Sequence, residues 1–486
     1  MYKLGIIGFG VVGKSALALL SSTRVEGTSN RVECVLSESK KISVWDNRVL
    51  DEHEVTLLKH ADAVFIDGHS TDLKNFFEQH DILLASPGVD LSPYQQYRSK
   101  ILCELDFFSV LFNKPTIAIT GSVGKTTITR LLGSLANIVP KKGNGRRLQV
   151  AIGGNVGIGM LDLVSQQKEL DAAVIELSSF QLELNTSFSP NIAIYTNFYP
   201  NHLDRHKTFA GYCAAKLTML YAQGPQDTAI ISYELLVGQA QFIMASTFKS
   251  VRSKILVTAV SKLDDTALKL VPISHFQLLY IDGTSIMLAT YEYFNCTATI
   301  LLVENIILPD LTFISNWMQV VAGLYVMGLA VEQLPAVLKK ISQEKLLSDL
   351  GHRVRHCATI RGVDFYDDSK STIAEATLAA VARLTTKKRP LIIILGGLSK
   401  GIDRSWLMPE LAKMHPVKHI FAFGPESHQF PGATACNTLE EVIQVIGLIM
   451  KDGDIVIFSP SGTSFDFFKN YEHRGKVFEQ LVQKLA

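Results

Sequence analysis

What this sequence has little of narrows its class before any motif is read. Its six cysteines stand at 34, 103, 213, 296, 357 and 436, too scattered for a Cys-x-x-Cys pair. That pattern argues against a disulfide framework or a cysteine zinc site, and it fits reduced thiols in a cytoplasmic protein. Net charge is almost absent, with 47 basic against 46 acidic residues, so nothing predicts a surface for nucleic acid. No apolar run is long enough to insert in a membrane. The longest helical one, around Trp317 to Val331, is short and interrupted. The opening Met-Tyr-Lys-Leu-Gly-Ile-Ile enters a strand pattern at once and has no signal-peptide form. A basic cluster, Lys141-Lys142 with Arg146-Arg147, lies in a glycine-containing loop and reads as solvated surface.

What is abundant is apolar. Hydrophobic residues make up 47% of 486, enough for several cores, and the length suggests about three domains at roughly 150 residues each. The most informative stretch is 116–127, Thr-Ile-Ala-Ile-Thr-Gly-Ser-Val-Gly-Lys-Thr-Thr. An apolar strand runs into a loop bracketed by Gly121 and Gly124, with Ser122 between them. Lys125, Thr126 and Thr127 then open a helix. Glycines let backbone N–H groups curl around an anion, the lysine reaches outer phosphates, and a threonine hydroxyl suits Mg²⁺. The spacing is shorter than GxxxxGK[ST], since Ile119 stands five positions before Gly124.

Three α/β segments are expected, 1–103, 104–350 and 351–486. The first is Rossmann-like: strand Leu4–Ile7, then Gly8-Phe9-Gly10-Val11-Val12-Gly13, then a helix from Lys14. Strand Ile42–Trp45 delivers Asp46, placed to meet a ribose or base, but farther from the glycines than the roughly 20 residues of a dinucleotide fingerprint. A further strand, Ile82–Leu84, leads to Ser86-Pro87-Gly88. In the second segment, strand Ala172–Ile175 delivers Glu176, and Ile192–Tyr195 leads to His202-Leu-Asp-Arg-His. Residues 228–310 alternate as strands around an Asp282-Gly283 turn, followed by a buried helix from Trp317 to Leu329. The third segment alternates strands Val363–Tyr366, Leu391–Leu395, His419–Phe423 and Ile455–Phe458 with helices, again a Rossmann-like parallel sheet. Polar loops follow three of those strands, at 367–372, 396–400 and 459–464.

An ATP site needs hard oxygen ligands for Mg²⁺ beside its phosphate loop, and Glu176 at a strand end suits that role. Taken alone, His202 reads more readily as a satisfied structural histidine than as a ligand, and Lys216 as a solvated lysine on an alanine-rich helix. The strings Gly-Ser-Val-Gly-Lys-Thr-Thr, Glu176-Leu-Ser-Ser-Phe-Gln-Leu-Glu, His202-Leu-Asp-Arg-His and Ala214-Ala-Lys-Leu resemble, in content and order, the Mur ligase family. His352-Arg353, Asp368-Ser-Lys370 and Ser459-Pro-Ser-Gly-Thr-Ser-Phe-Asp-Phe-Phe-Lys-Asn-Tyr-Glu-His-Arg-Gly continue the likeness across nearly the whole chain. Together with Ser-Ser-Phe-Gln, that last string resembles the branch that joins D-glutamate to UDP-N-acetylmuramoyl-L-alanine through an acyl phosphate.

The resemblance implies roles residue by residue. Lys125, Glu176, His202 and Lys216 are the catalytic set. Gly121, Ser122, Gly124, Lys125, Thr126, Thr127, Asn316, Arg353, Asp368 and Lys370 would bind ATP. Two Mg²⁺ ions would be held by Thr126, Glu176, His202 and Lys216, the lysine carrying CO₂ as a carbamate. Carbamate formation requires a neutral amine, which burial near other cations favours. Gly8, Gly10, Gly13, Asp46, Ser86, Pro87, Gly88, Asn155 and Ser178 would hold the UDP substrate. Thr372, Lys400, Ser464 and Tyr471 would hold D-glutamate. A cytoplasmic monomer active in peptidoglycan synthesis, and so in cell shape and division, is implied, with domain closure before chemistry.

Two departures from the family pattern stand out. A His-Asn-x-x-Asn string before the long helix is here Thr312, Phe313 and a retained Asn316, and position 201 is asparagine where an acid is common. Alternatives in view are another ligase of the same superfamily, including folylpolyglutamate synthase, and an ATP-binding regulatory protein. A third, an NAD-dependent oxidoreductase fused to an ATPase, rests on GxGxxG alone.

Overall fold

The computed structural model describes residues 2–23, 30–37, 40–309, 312–340 and 353–486. The expected segment boundary at 350/351 and His352 lie outside them. Among the described residues the strands form three sheets, in a mixed α/β fold.

The first sheet contains β1 (Tyr2–Ile7), β2 (Lys40–Asp46), β3 (Val64–Asp67), β4 (Ile82–Ala85) and β5 (Ile101–Leu102), in the order β3-β2-β1-β4-β5. All of its pairings are parallel. Parallel strands need covering on both faces, which is why they read as continuous apolar runs. Leu4, Ile6, Val44 and Leu84 join Leu17 and Leu20 of helix Val11–Ser22 in one core. Phe107 and Leu161 complete that core from beyond residue 103. The glycine string is required by close approach: a Cβ on Gly13 would stand 2.1 Å from the Gly8 carbonyl oxygen.

The second sheet holds β6 (Thr116–Thr120), β7 (Val150–Gly154), β8 (Ala172–Glu176), β9 (Ile192–Tyr195), β10 (Thr228–Ser232), β11 (Lys254–Thr258), β12 (His275–Asp282), β13 (Ser285–Glu292) and β14 (Asn295–Val303). Its order is β14-β13-β12-β11-β10-β9-β6-β8-β7. Strands β12 to β14 are antiparallel, and the expected turn after Asp282 joins β12 to β13. The stretch 228–258 differs from the expected strand run. There β10 and β11 pair in parallel, separated by helices Tyr233–Val237 and Gln241–Thr247, so the sheet continues its crossover pattern this far. Short apolar runs cannot by themselves show which partner they take. The buried helix spans Ile314–Val326, starting and ending three residues earlier than its apolar run suggested.

The third sheet contains β15 (Arg355–Ile360), β16 (Val363–Asp367), β17 (Leu391–Leu395), β18 (Val417–Phe423), β19 (Thr434–Cys436) and β20 (Ile455–Phe458), in the order β15-β16-β20-β17-β18-β19. It is parallel apart from β15. Because β16, β20 and β17 are neighbours, the three polar loops that follow them emerge side by side. The chain parts into two compact units, Met1–Phe198 with Ala210–Leu346, and Tyr199–Phe209 with Leu347–Ala486. The first contains the first two sheets, the second the third. Among the described residues no helix is long and apolar enough to cross a membrane.

Candidate active site

In the first unit, the loop after β6 is shaped by neighbours as much as by its glycines. Gly121 has φ +147° and Gly124 φ +93°. A Cβ on Gly121 would fall 1.8 Å from Thr196 Oγ1, and one on Gly124 2.6 Å from Asn316 Oδ1. Thr196 and Asn197, at the end of the adjacent β9, clasp the loop. Asn197 accepts from the Ser122 N–H at its carbonyl (2.8 Å) and from the Val123 N–H at Oδ1 (2.9 Å). Thr196 Oγ1 donates to the Val123 carbonyl (2.6 Å). Ser122 Oγ lies 2.8 Å from the Tyr212 hydroxyl. Helix Lys125–Ala136 begins with Gly124 as its cap, so its first-turn N–H groups face the loop, the position where an anion would meet a helix N-terminus. Lys125 Nζ bridges the loop carbonyls of Gly121 (2.8 Å) and Ser122 (3.1 Å), while Thr126 and Thr127 are buried in the first turn.

Lys216, on helix Phe209–Ala222, is 1% exposed. Its amine donates to Thr120 Oγ1 (3.2 Å) and to the Gly121 carbonyl (3.0 Å), over the Tyr212 ring. Burial holds its pKa well below the ordinary lysine value, and the nearby Lys125 charge depresses it further. Both effects disfavour the ammonium, so the amine is neutral over a range where a surface lysine is charged.

Glu176 ends β8 in register with Ile119 of β6 and is 1% exposed. Asn155 donates to its Oε1 (2.7 Å), whereas Oε2 is buried with no hydrogen-bond partner among the described residues. Leaving such a group unsatisfied costs about 1–3 kcal/mol, more when it is charged, so the site gains by receiving a cation there. Among the described residues no group of three or more His, Cys, Asp and Glu side chains is placed to hold a metal ion. In a set drawn from the Thr126 hydroxyl, the Glu176 carboxylate and a modified Lys216, only Glu176 is of those residue types. Of the four expected metal residues, these three lie in the first unit and His202 in the second, where it caps helix Leu203–His206 at φ 54°.

Ser178 caps the short helix Ser179–Leu182 through a reciprocal pair with Gln181. Gln181 in turn donates to Glu104 (3.3 Å), a carboxyl that burial pushes up to about 7. The Ser-Ser-Phe-Gln string is thus also a structural joint. Asn316 Nδ2 donates to Thr312 Oγ1 (2.7 Å), so the retained asparagine backs Gly124 and uses the replaced position as its acceptor.

Around the first glycine string, Gly8 (φ +85°) accepts at its carbonyl from Ser86 Oγ (2.8 Å), and its N–H donates to the Trp45 carbonyl. Asp46 is buried and accepts from the Phe9 N–H (2.6 Å) and from Arg48. Burial opposes its ionisation, but those hydrogen bonds and the Arg48 charge outweigh it and hold its pKa below the usual carboxylate value. Arg48 also donates to the Phe9 carbonyl (2.9 Å), which makes it a member of this pocket that no motif singled out. Gly10 and Gly88 are exposed, Pro87 half-buried beside them.

In the second unit, the 367–372 loop presents Asp368, Lys370 and Thr372. Asp368 is buried and accepts from Ser459 Oγ (2.6 Å) and the Val354 N–H (3.2 Å). Burial raises its pKa to about 7 against the pull of Ser459 and of Arg353. Lys370 Nζ lies 4.9 Å over the Tyr471 ring. Leu398 and Thr463 exchange backbone hydrogen bonds, bringing the loop of Lys400 alongside that of Ser464. Lys400 (φ 57°) donates to Asn201 Oδ1 (3.0 Å), where an acid would have made an ion pair. The sequence-derived residues therefore assemble into a phosphate-loop group, a first-glycine-string group and a three-loop group. Asn197, Tyr212 and Arg48 join them unannounced. A polar pair at a strand end was the available signal for Asn197, but its adjacency to β6 is tertiary.

A glycine-bracketed loop opening a helix, beside a buried lysine and a buried carboxylate, has the form of a phosphate-binding site, and comparison with known proteins names the class. The Mur ligase middle domain family matches residues 119–269, which contain the phosphate loop, Glu176 and Lys216. Over its length the chain is 31% identical to the UDP-N-acetylmuramoylalanine–D-glutamate ligase of Desulfotalea psychrophila, covering 99% of this chain and 95% of that protein. The enzyme of the same description from Vibrio atlanticus is also 31% identical, covering 90% and 92%. Among solved structures, MurF from Acinetobacter baumannii shares the fold at a TM-score of 0.53 and 16% identity, covering 91% and 90%. The chain belongs to the Mur ligases, in the family of the UDP-N-acetylmuramoylalanine–D-glutamate ligases.

Proposed function

We propose that this protein is the ATP-dependent ligase that joins D-glutamate to UDP-N-acetylmuramoyl-L-alanine in peptidoglycan precursor synthesis. The observation that carries the reading is the buried Lys216 amine touching the phosphate loop, opposite a carboxylate oxygen with no partner. That pairing suits a lysine that becomes a carbamate and a cation that Glu176 helps hold. Residues 1–103 take the UDP moiety through Gly8, Gly10, Gly13, Asp46 and Ser86-Pro87-Gly88, and Asn155 and Ser178 extend that pocket. Residues 104–350 hold ATP, and residues 351–486 hold the amino acid.

In the reaction the substrate carboxylate attacks the γ-phosphorus of ATP, ADP leaves, and an acyl phosphate forms. The D-glutamate amine then attacks the acyl carbon and loses a proton, and the tetrahedral intermediate collapses as the acyl C–O bond breaks and inorganic phosphate leaves with that oxygen and its electron pair. The loop N–H groups and Lys125 orient the triphosphate. In the second unit Arg353 and Lys370 supply positive charge, and Lys400 faces a substrate carboxylate. Thr126, Glu176 and a carbamylated Lys216, with His202 as the family resemblance implies, would hold Mg²⁺, which would supply charge to offset repulsion between carboxylate and triphosphate. The protein acts as a cytoplasmic monomer, and its product feeds cell-wall growth and division.

Phosphate release is measured with ATP, Mg²⁺ and UDP-N-acetylmuramoyl-L-alanine across a panel of D- and L-amino acids. Release confined to D-glutamate supports the assignment; equal release with L-amino acids, or with none, overturns it.

A further inference from the structure

We infer that Arg404 is a positioning residue for the amino-acid substrate: it locks together the loops that carry Lys400 and Ser464 and thereby sets affinity for that substrate. The inference rests on the ligase reading above and deepens it.

Arg404 is 2% exposed, so it does not meet a ligand itself. Yet each of its five N–H groups has an acceptor. Nε donates to Gln429 Oε1 (3.1 Å). One terminal nitrogen donates to the carbonyls of Gly396 (2.9 Å) and Ser461 (3.4 Å). The other donates to the Gly397 carbonyl (3.0 Å) and to Glu426 Oε2 (2.9 Å). The guanidinium face lies 4.7 Å over the Phe430 ring. Two loops from neighbouring strands therefore turn their carbonyls onto one buried cation.

Those loops need such a fastening. Gly397, Lys400, Gly401 and Ser461 all have φ between 57° and 77°, a region that the two non-glycine residues adopt only when their surroundings hold them. Glu426 extends the lock to the residue before Lys400, because its Oε2 also accepts from the Ser399 N–H (2.8 Å). The Leu398–Thr463 exchange then ties Lys400, two residues on, to Ser464, one residue on. A Cβ on Gly462 would stand 2.5 Å from the Arg404 terminal nitrogen, so the second loop is pressed directly on the cation. Lysine offers a point charge with three donors and cannot reproduce this planar fork.

Steady-state kinetics of the whole protein test the idea. Arg404→Met should raise KM for D-glutamate about tenfold or more, with kcat and the KM values for ATP and UDP-N-acetylmuramoyl-L-alanine within about threefold of wild type. Arg404→Lys should recover part of the loss. If Arg404→Met does not fold, Glu426→Gln, which weakens the hold on Ser399, Arg404 and Gln429, should raise the same constant by about threefold. An unchanged D-glutamate KM in the folded variants overturns the inference. So does a uniform fall of every kinetic constant in step with melting temperature, the mark of a purely structural role. Wild type is assayed first. If it uses another amino acid, the D-glutamate assignment falls, and the variants are compared with that amino acid instead.

Discussion

A lysine with almost no exposed surface is a poor place for a positive charge. At Lys216 the desolvation penalty and the neighbouring Lys125 both act against the ammonium, and Glu176 only partly offsets them. A neutral amine is the form that attacks CO₂. Lys216→Ala is therefore expected to lose activity by at least about 10²-fold. The wild-type rate should fall in CO₂-depleted buffer and return with bicarbonate. The sign of the pH effect follows from the depressed pKa: acidification reprotonates the amine, so the rate drops on the acid limb. A Lys216→Ala enzyme of wild-type turnover would sink the carbamate. The residue's own surroundings in sequence, an alanine-rich helix, suggested solvent. The role proposed for it came only through resemblance, because its burial depends on Thr120 and Gly121, some 95 residues away in the chain.

At the scale of the element, the phosphate loop shows a motif completed by its neighbours. The glycines, lysine and threonines were readable because strand, turn and helix signals are local. The clasp from Thr196 and Asn197 was not, since it exists only because β9 pairs with β6. Gly121→Ala places a Cβ on Thr196 Oγ1 in a backbone conformation that side chains avoid. It should reduce ATP turnover on the order of 10²-fold, while binding of the UDP substrate, measured calorimetrically, stays near wild type. Equal turnover in the alanine variant would show that the loop has another way to close. The same limit explains the stretch 228–258. Its apolar runs were recognised as strands, but nothing local told a parallel partner from an antiparallel one. The hairpin at Asp282-Gly283 was legible because a tight turn carries its own chemistry.

For the whole molecule, near-zero net charge and the scattered cysteines predict a chain that neither gathers polyanions nor cross-links. Light scattering after size exclusion should give 53.6 kDa, with no growth in mass as concentration rises. A stable mass twice that value would overturn the monomer. The sequence by itself determined the α/β class, the nucleotide loop, the strand-end positions of most site residues and the family, because strands, glycine turns and motif strings are encoded over a few residues each. Only the tertiary structure decided which strand ends are neighbours. It left one oxygen of Glu176 without a hydrogen-bond partner among the described residues, buried Lys216 against the loop, tied Asp46 to Arg48 and folded two loops onto Arg404. Each of those facts depends on desolvation and on contacts between residues far apart in the chain, and neither is written in a local pattern.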